Sequence, residues 1–199
     1  WNMLADEERH CLQAVSVFKA GFDVPAAAAV TAADGRAVES LLAALADKSL
    51  VQMASGGTRY EMHHLIRQYA LRKLAENPAE HQAVYRRHAA WYAAFLQSQE
   101  AHLQDERILE TLGRIRRESA NVRLAWRWML QHRALDLVEQ CAAALFHFYL
   151  RQGWTAEGAE AFSAAVEALQ SEQDTSPALF ARLQAYQGVL AFRNGAPQQ

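Results

Sequence analysis

The sequence predicts a mostly α-helical protein with one small β-hairpin, laid out in two parts. Three observations carry this. Apolar residues recur at helical spacing over most of the 199 residues. Alanine is abundant, while the chain has only 9 glycines and 4 prolines, a mix that suits packed helices. One short stretch departs from the pattern: Leu50-Val51-Gln52-Met53 and Tyr60-Glu61-Met62 alternate in polarity around Gly56-Gly57.

The elements follow in order. Asp6 is placed to cap a first helix whose apolar positions are Leu12, Val15, Val17 and Phe18, with Gly21 ending it. Asp23-Val24-Pro25 starts a second, alanine-rich helix, with proline in the first turn where its missing N–H costs nothing. Asp34-Gly35 breaks it. A third helix is expected over 36–48, with Val38, Leu41, Leu42 and Leu45 on one side. The hairpin comes next, Val51 and Met53 sharing one face, as do Tyr60 and Met62. A fourth helix is apolar at Leu65, Ile66, Tyr69, Ala70 and Leu74. Three helices, a hairpin and a closing helix describe a winged-helix-like domain over 1–77.

Asn77-Pro78 is the strongest boundary signal. Beyond it, helices are expected near 79–101, 105–131, 134–152, 155–170 and 177–194. Gly153, the polar run 171–176 with Pro177, and Gly195 punctuate them. Helical hairpins joined by short turns give an α-solenoid or bundle over 78–199. Tyr149 and Gly153, followed by Gly158, Phe162 and Ala165, place small residues against an aromatic at a spacing that lets helices nest. Gly188 and Gly195 begin the arrangement again. The offset exceeds 34 residues, so the array is tetratricopeptide-like (TPR-like) only in a degenerate sense, and ordinary helix packing explains it equally. The abrupt start at Trp1 and the turn-like Asn194-Gly195-Ala196-Pro197 suggest a piece of a longer protein, truncated at its C-terminus.

Composition narrows the function. The net charge of −2 predicts neither a nucleic-acid binder nor an acidic tail. Over 59–133 there are 13 Lys and Arg against 8 Asp and Glu, and 7 against 14 elsewhere. That basic middle reads as solvated helix surface or as a basic face. The 2 cysteines, Cys11 and Cys141, lie far apart and form no metal spacing or disulfide framework, which makes a reduced, cytoplasmic setting the default. No signal peptide and no apolar run near ~18 residues are present, so no membrane contact is expected.

One stretch stands out for chemistry: Arg59-Tyr60-Glu61-Met62-His63-His64-Leu65-Ile66-Arg67-Gln68-Tyr69-Ala70. It reads as a strand running into a helix, with two histidines at the junction. A helix N-terminus gathers partial positive charge and suits a phosphate. His63 and His64, being adjacent, point about 100° apart on a helix and cannot share a metal. His81 and His88 share a helix face with Arg86-Arg87 between them, which reads as solvated surface. Glu7-Glu8 and Glu157 with Glu160 read as first-turn or surface carboxylates. Trp126, Trp128 and Trp154, with Phe146, Phe148 and Tyr149, read as core. No phosphate-binding glycine loop, dinucleotide fingerprint or nucleophile elbow occurs. No catalytic and no metal site is expected, and the segment is not expected to be an enzyme.

DNA binding must be weighed, because winged helices often place their third helix in the major groove. Groove contacts need outward Arg, Lys, Asn or Gln. The helix over 36–48 offers Arg36 and Lys48 at its ends with Glu39 and Asp47 alongside, and the wing tip 54–59 offers Arg59 alone. DNA contact by this segment is therefore not expected.

Leu45-Ala46-Asp47-Lys48-Ser49-Leu50-Val51 followed by Tyr60-Glu61-Met62-His63-His64-Leu65-Ile66-Arg67-Gln68-Tyr69-Ala70 resembles the winged-helix part of STAND ATPases, including bacterial NB-ARC and LuxR- or AfsR-like regulators. Trp1-Asn2-Met3-Leu4 and Val15-Ser16-Val17-Phe18-Lys19-Ala20-Gly21-Phe22 look like the family's approach to that domain. Arg87-His88-Ala89-Ala90-Trp91-Tyr92 and Glu118-Ser119-Ala120-Asn121-Val122-Arg123-Leu124-Ala125-Trp126 look like its linker helices. The family carries a Met-His-Asp motif whose histidine contacts the β-phosphate of bound ADP. Met62-His63 match it, and His64 stands where the family has the acid.

The resemblance implies that His63 is a cofactor-binding residue toward ADP, completed only by a P-loop ATPase domain preceding Trp1 in the same chain. It implies no cofactor in this segment itself, ATP or ADP in the full-length protein, and a protein or small-molecule inducer on the helical repeats. Three functions stay open. The first is a regulatory segment of a STAND-type signalling ATPase and transcriptional regulator. The second is a DNA-binding winged-helix regulator with a helical effector domain. The third is a helical-repeat interaction scaffold.

Overall fold

A computed structural model describes residues 1, 3–54, 56–170 and 176–195. The polar run 171–175, Ser55 in the wing and Ala196-Pro197 lie outside the described residues. The elements are α1 (Asp6–Val15), α2 (Val24–Thr31), α3 (Gly35–Asp47), β1 (Gln52–Met53), β2 (Tyr60–Glu61), α4 (His64–Ala75), α5 (Pro78–Gln99), α6 (Ile108–Gln131), α7 (Leu135–Gln152), α8 (Thr155–Leu169) and α9 (Pro177–Gly195). The protein is thus mostly α-helical with one small antiparallel sheet, as the sequence predicts. It packs as two compact units, residues 1–91 with 120–125, and residues 92–119 with 126–199.

In the first unit, α1, α2 and α3 pack on one another and α4 closes against α1. Their shared core is Leu12, Val15, Phe18, Phe22, Val30, Val38, Leu42, Leu45, Ala70 and Leu74, all buried. Burying each large side chain of this kind contributes about 1.5–3 kcal/mol. α2 starts as expected: Asp23 Oδ1 accepts the Ala26 N–H at 2.9 Å, with Pro25 in the first turn. α2 ends at Thr31, before the Asp34-Gly35 break, because Ala32 takes a left-handed conformation (φ 56°). Asp34 instead caps α3, its Oδ1 accepting the Arg36 N–H at 2.9 Å.

Two expectations about α1 are corrected. Ala5, not Asp6, is the cap residue; the Glu8 carboxylate reaches back to accept the Ala5 N–H at 2.8 Å. The helix also stops at Val15 rather than near Gly21. Burial decides this. Past the turn at Ser16–Val17, Phe18 stacks on Phe22, ring centroids 4.7 Å apart, and both rings are buried.

β1 and β2 pair antiparallel, Gln52 opposite Glu61 and Met53 opposite Tyr60. β2 has a second flank: the Phe22 N–H donates to the Tyr60 carbonyl at 2.9 Å and the Tyr60 N–H to the Phe22 carbonyl at 2.7 Å. Val51, just before β1, is buried, whereas Met53 is 53% exposed on its two-residue strand.

In the second unit, α8 and α9 lie along each other and α7 packs on both. Leu145, Phe148, Phe162, Leu183 and Leu190 fill the space, and Trp126 is buried with its Nε1–H donating to the Ala161 carbonyl at 3.1 Å. Gly158 is where two helices meet closely: a Cβ there would stand 2.8 Å from Tyr149 Cβ. The nesting of a small residue on Tyr149 read from the sequence is therefore present at that position.

Candidate functional site

The site is built from β2 outward. Clamped by β1 on one side and by Phe22 on the other, β2 delivers Met62 and His63 to the start of α4. His63 is the N-cap residue (φ −59°, ψ 138°), and its Nδ1 accepts the Leu65 N–H at 3.3 Å. With Nδ1 accepting, the neutral ring carries its proton on Nε2, which makes that atom a donor. His63, His64 and Leu65 are all exposed, and the two imidazoles lie 4.5 Å apart, tilted by 40°. The first turn of α4 holds no acidic side chain. An exposed N–H donor at a helix N-terminus can meet a phosphate oxygen. It cannot by itself hold a nucleotide.

The α3 face is equally informative. Its outward positions are Arg36, Ala37, Glu39, Ser40, Ala43 and Asp47, and Ser40 Oγ is turned back onto the Arg36 carbonyl at 3.0 Å. Lys48, one of the two basic residues expected near this face, is paired with Glu8. Arg59 at the wing donates to the Gly21 carbonyl. Arg36 is left as the cation of the α3 surface.

Glu8 is a first-turn carboxylate of α1, as the sequence suggests, but it is only 8% exposed and joins the start of α1 to Lys48. One reading of a titratable group is corrected by burial. His88 is not on a solvated face: it is 1% exposed, its ring 5.3 Å from that of Phe18. Burial, with the positive charge of Arg67 nearby, lowers its pKa to about 3, so it stays neutral near pH 7. An apolar neighbour at Ala89 and the helical phase of Val84 were the signals for burial at this position. Cys11 and Cys141 are buried, and burial pushes both thiols up to about 12. No group of three or more His, Cys, Asp or Glu suited to a metal ion occurs among the described residues. Nor is any described helix long and apolar enough to cross a membrane.

Comparison with known proteins agrees with this architecture. Residues 4–75 match the family described as a winged helix-turn-helix domain. A protein of Mycobacterium tuberculosis (strain H37Rv), provisionally named HTH-type transcriptional regulator Rv0890c, is 28% identical over 170 residues, covering 83% of this chain and 19% of its own length. Its counterpart in Mycobacterium bovis, provisionally named HTH-type transcriptional regulator Mb0914c, matches equally. The chain therefore spans about a fifth of the curated relatives it matches. No solved structure matches it. The first unit carries a winged helix-turn-helix domain, and the chain is homologous to a stretch of provisionally named transcriptional regulators.

Proposed function

We propose that this chain is a non-enzymatic segment of a transcriptional regulator, its winged helix acting as a DNA-contacting module and its helical unit as the effector part. The observation that supports it is the coincidence of the helix-helix-helix-hairpin-helix order with the winged helix-turn-helix match over 4–75, in a chain whose relatives are named as HTH-type regulators. This was the second of the three functions weighed from the sequence, and the comparisons favour it over the first. The α3 surface limits how it would work. With Arg36 as its cation, contact would be to a few phosphates rather than to base edges. Gel-shift titration of the chain against a random duplex tests this. Binding at low salt with a shallow salt slope, lost in Arg36→Ala, is the expected result. No binding at about 50 mM salt, where even weak phosphate contacts register, would remove the reading.

A second reading is favoured by one specific observation, the outward-facing, capped His63. In it, the winged helix closes on the phosphate of ADP bound to a P-loop domain elsewhere in the full-length regulator, in the manner of STAND ATPases. The TPR-like unit would then receive a protein or small-molecule inducer. ADP would favour the closed state through contacts such as His63, and activation would require tighter binding to the open state. His63→Ala in the full-length protein should weaken ADP retention and raise basal output. Unchanged ADP affinity would refute the role given to His63.

A further inference from the structure

We propose that the arginine face of α6, at Arg116, Arg117 and Arg127, binds the sugar–phosphate backbone of duplex DNA. The proposal rests on the reading of this chain as a DNA-contacting segment and adds a second contact to it. All three arginines belong to the second unit.

The charges of α6 are one-sided. From Thr111 to Gln131 the helix holds five arginines, no lysine and one carboxylate, Glu118. That carboxylate is turned inward: it is 8% exposed and accepts the Tyr92 hydroxyl at 2.9 Å. Glu110, in the first turn, meets Arg114 at 3.5 Å. The acids of α6 are thus buried or paired, while Arg116, Arg117 and Arg127 stand exposed. None of these three forms an ion pair or a side-chain hydrogen bond among the described residues. Arg123, between them, has contacts of its own and is left out of the site. A helix built only for solvent interleaves opposite charges three or four residues apart, because such pairs stabilise it and like pairs do not. Past Arg114, α6 has no exposed carboxylate with which to do so.

The spacing fits an extended polyanion. On a helix, Arg116 and Arg127 fall within about 20° of one another and about 16 Å apart along the axis, with Arg117 about 100° to one side. Phosphates of one DNA strand rise about 3.4 Å each, so that span covers about five of them. Cations set in a row suit a backbone that runs past them rather than a compact ligand, which needs them gathered round one point. The guanidinium is shaped for two parallel hydrogen bonds to a phosphate. Duplex DNA is the polyanion this chain is equipped to meet, because the first unit carries a winged helix-turn-helix domain. Arg36 is the cation of the α3 surface there, so further phosphate contacts are what a bound duplex lacks. Three contacts alone hold a duplex weakly, so α6 adds to Arg36 without replacing it.

The test is the salt dependence of binding of the 199-residue chain to a labelled random duplex, read by fluorescence anisotropy over a series of chloride concentrations. Each phosphate contact contributes about 0.9 to the slope of log K against log salt. The combined variant Arg116→Gln, Arg117→Gln, Arg127→Gln should bind more weakly and lose about 2.7 from that slope. Lysine at the same three positions should keep the slope. Arg114→Gln, which removes a cation already paired with Glu110, should leave it unchanged. Circular dichroism checks that each variant keeps its helices. A wild-type slope in the combined glutamine variant, or an equal loss per charge in Arg114→Gln, would overturn the site. So would displacement of the duplex by poly-glutamate at equal charge, since the face would then suit an acidic protein. Arg36→Ala separates this proposal from the reading of α3. Binding lost in Arg36→Ala, with the slope unchanged in the glutamine variant, keeps that reading and removes the α6 face. A slope reduced in the glutamine variant, with binding intact in Arg36→Ala, does the reverse.

Discussion

The side chain of Asn121 on α6 accepts the backbone N–H of Lys19 at 2.8 Å, across 102 residues of chain. The same Oδ1 accepts the Ala20 N–H at 3.3 Å, and Nδ2 lies 3.4 Å from the Gly21 carbonyl as its donor. One fully buried amide thus satisfies the turn that follows α1. Asn121→Ala would remove these part-buried hydrogen bonds, the Gly21 carbonyl keeping its bond from Arg59, and each lost bond costs about 0.5–1.5 kcal/mol. Urea denaturation should show a loss of about 1–3 kcal/mol. Asn121→Asp, which keeps the acceptor, should lose less.

Glycines 158 and 188 should respond oppositely to the same change. In Gly158→Ala the new Cβ would meet Tyr149 Cβ at 2.8 Å and Cγ at 2.9 Å, and Leu190 Cδ1 at 3.1 Å. Overpacking of this kind costs about 1–3 kcal/mol. Gly188 sits inside α9 with nothing within 4 Å of a Cβ, so Gly188→Ala should gain about 0.5–1 kcal/mol from helix propensity. Thermal midpoints of the two variants, moving in opposite directions, check both.

His88 makes the first unit acid-sensitive. Its folded pKa is lowered from 6.5 to about 3 by burial, so between those values the unfolded chain binds the proton and the folded chain does not. Stability from this residue is complete above pH 6.5 and is lost as pH falls toward 3. The slope it contributes is at most about 1.4 kcal/mol per pH unit. Replacing it by His88→Gln should flatten the stability curve in that window, measured as urea midpoints from pH 7 to pH 4.

The order of elements was legible because it rests on local chemistry. Asp23 and Pro25 announce α2, and Gly153, at φ 75°, ends α7 where the sequence places a break. The five helices after Pro78 fall within about three residues of the expected spans, since nothing interrupts their periodicity. What was not legible depended on partners distant in sequence. Phe18, just past the end of α1, meets His88, and Glu8 meets Lys48. At the site, His63 was found by its place at a strand-to-helix junction. The anchoring of Arg67 was not, because only folding brings it to the Phe18 carbonyl.

The clamping of Tyr60 between Phe22 and Met53 has a mechanical consequence. The wing beyond it narrows to the Ala54 N–H bonded to the Arg59 carbonyl at 2.8 Å, and its tip holds Gly56 and Gly57 at φ 116° and 71°. Tyr60 is therefore held along both backbone edges, so the direction in which the chain leaves β2 for His63 is set by the segment at Phe22 as well as by the hairpin.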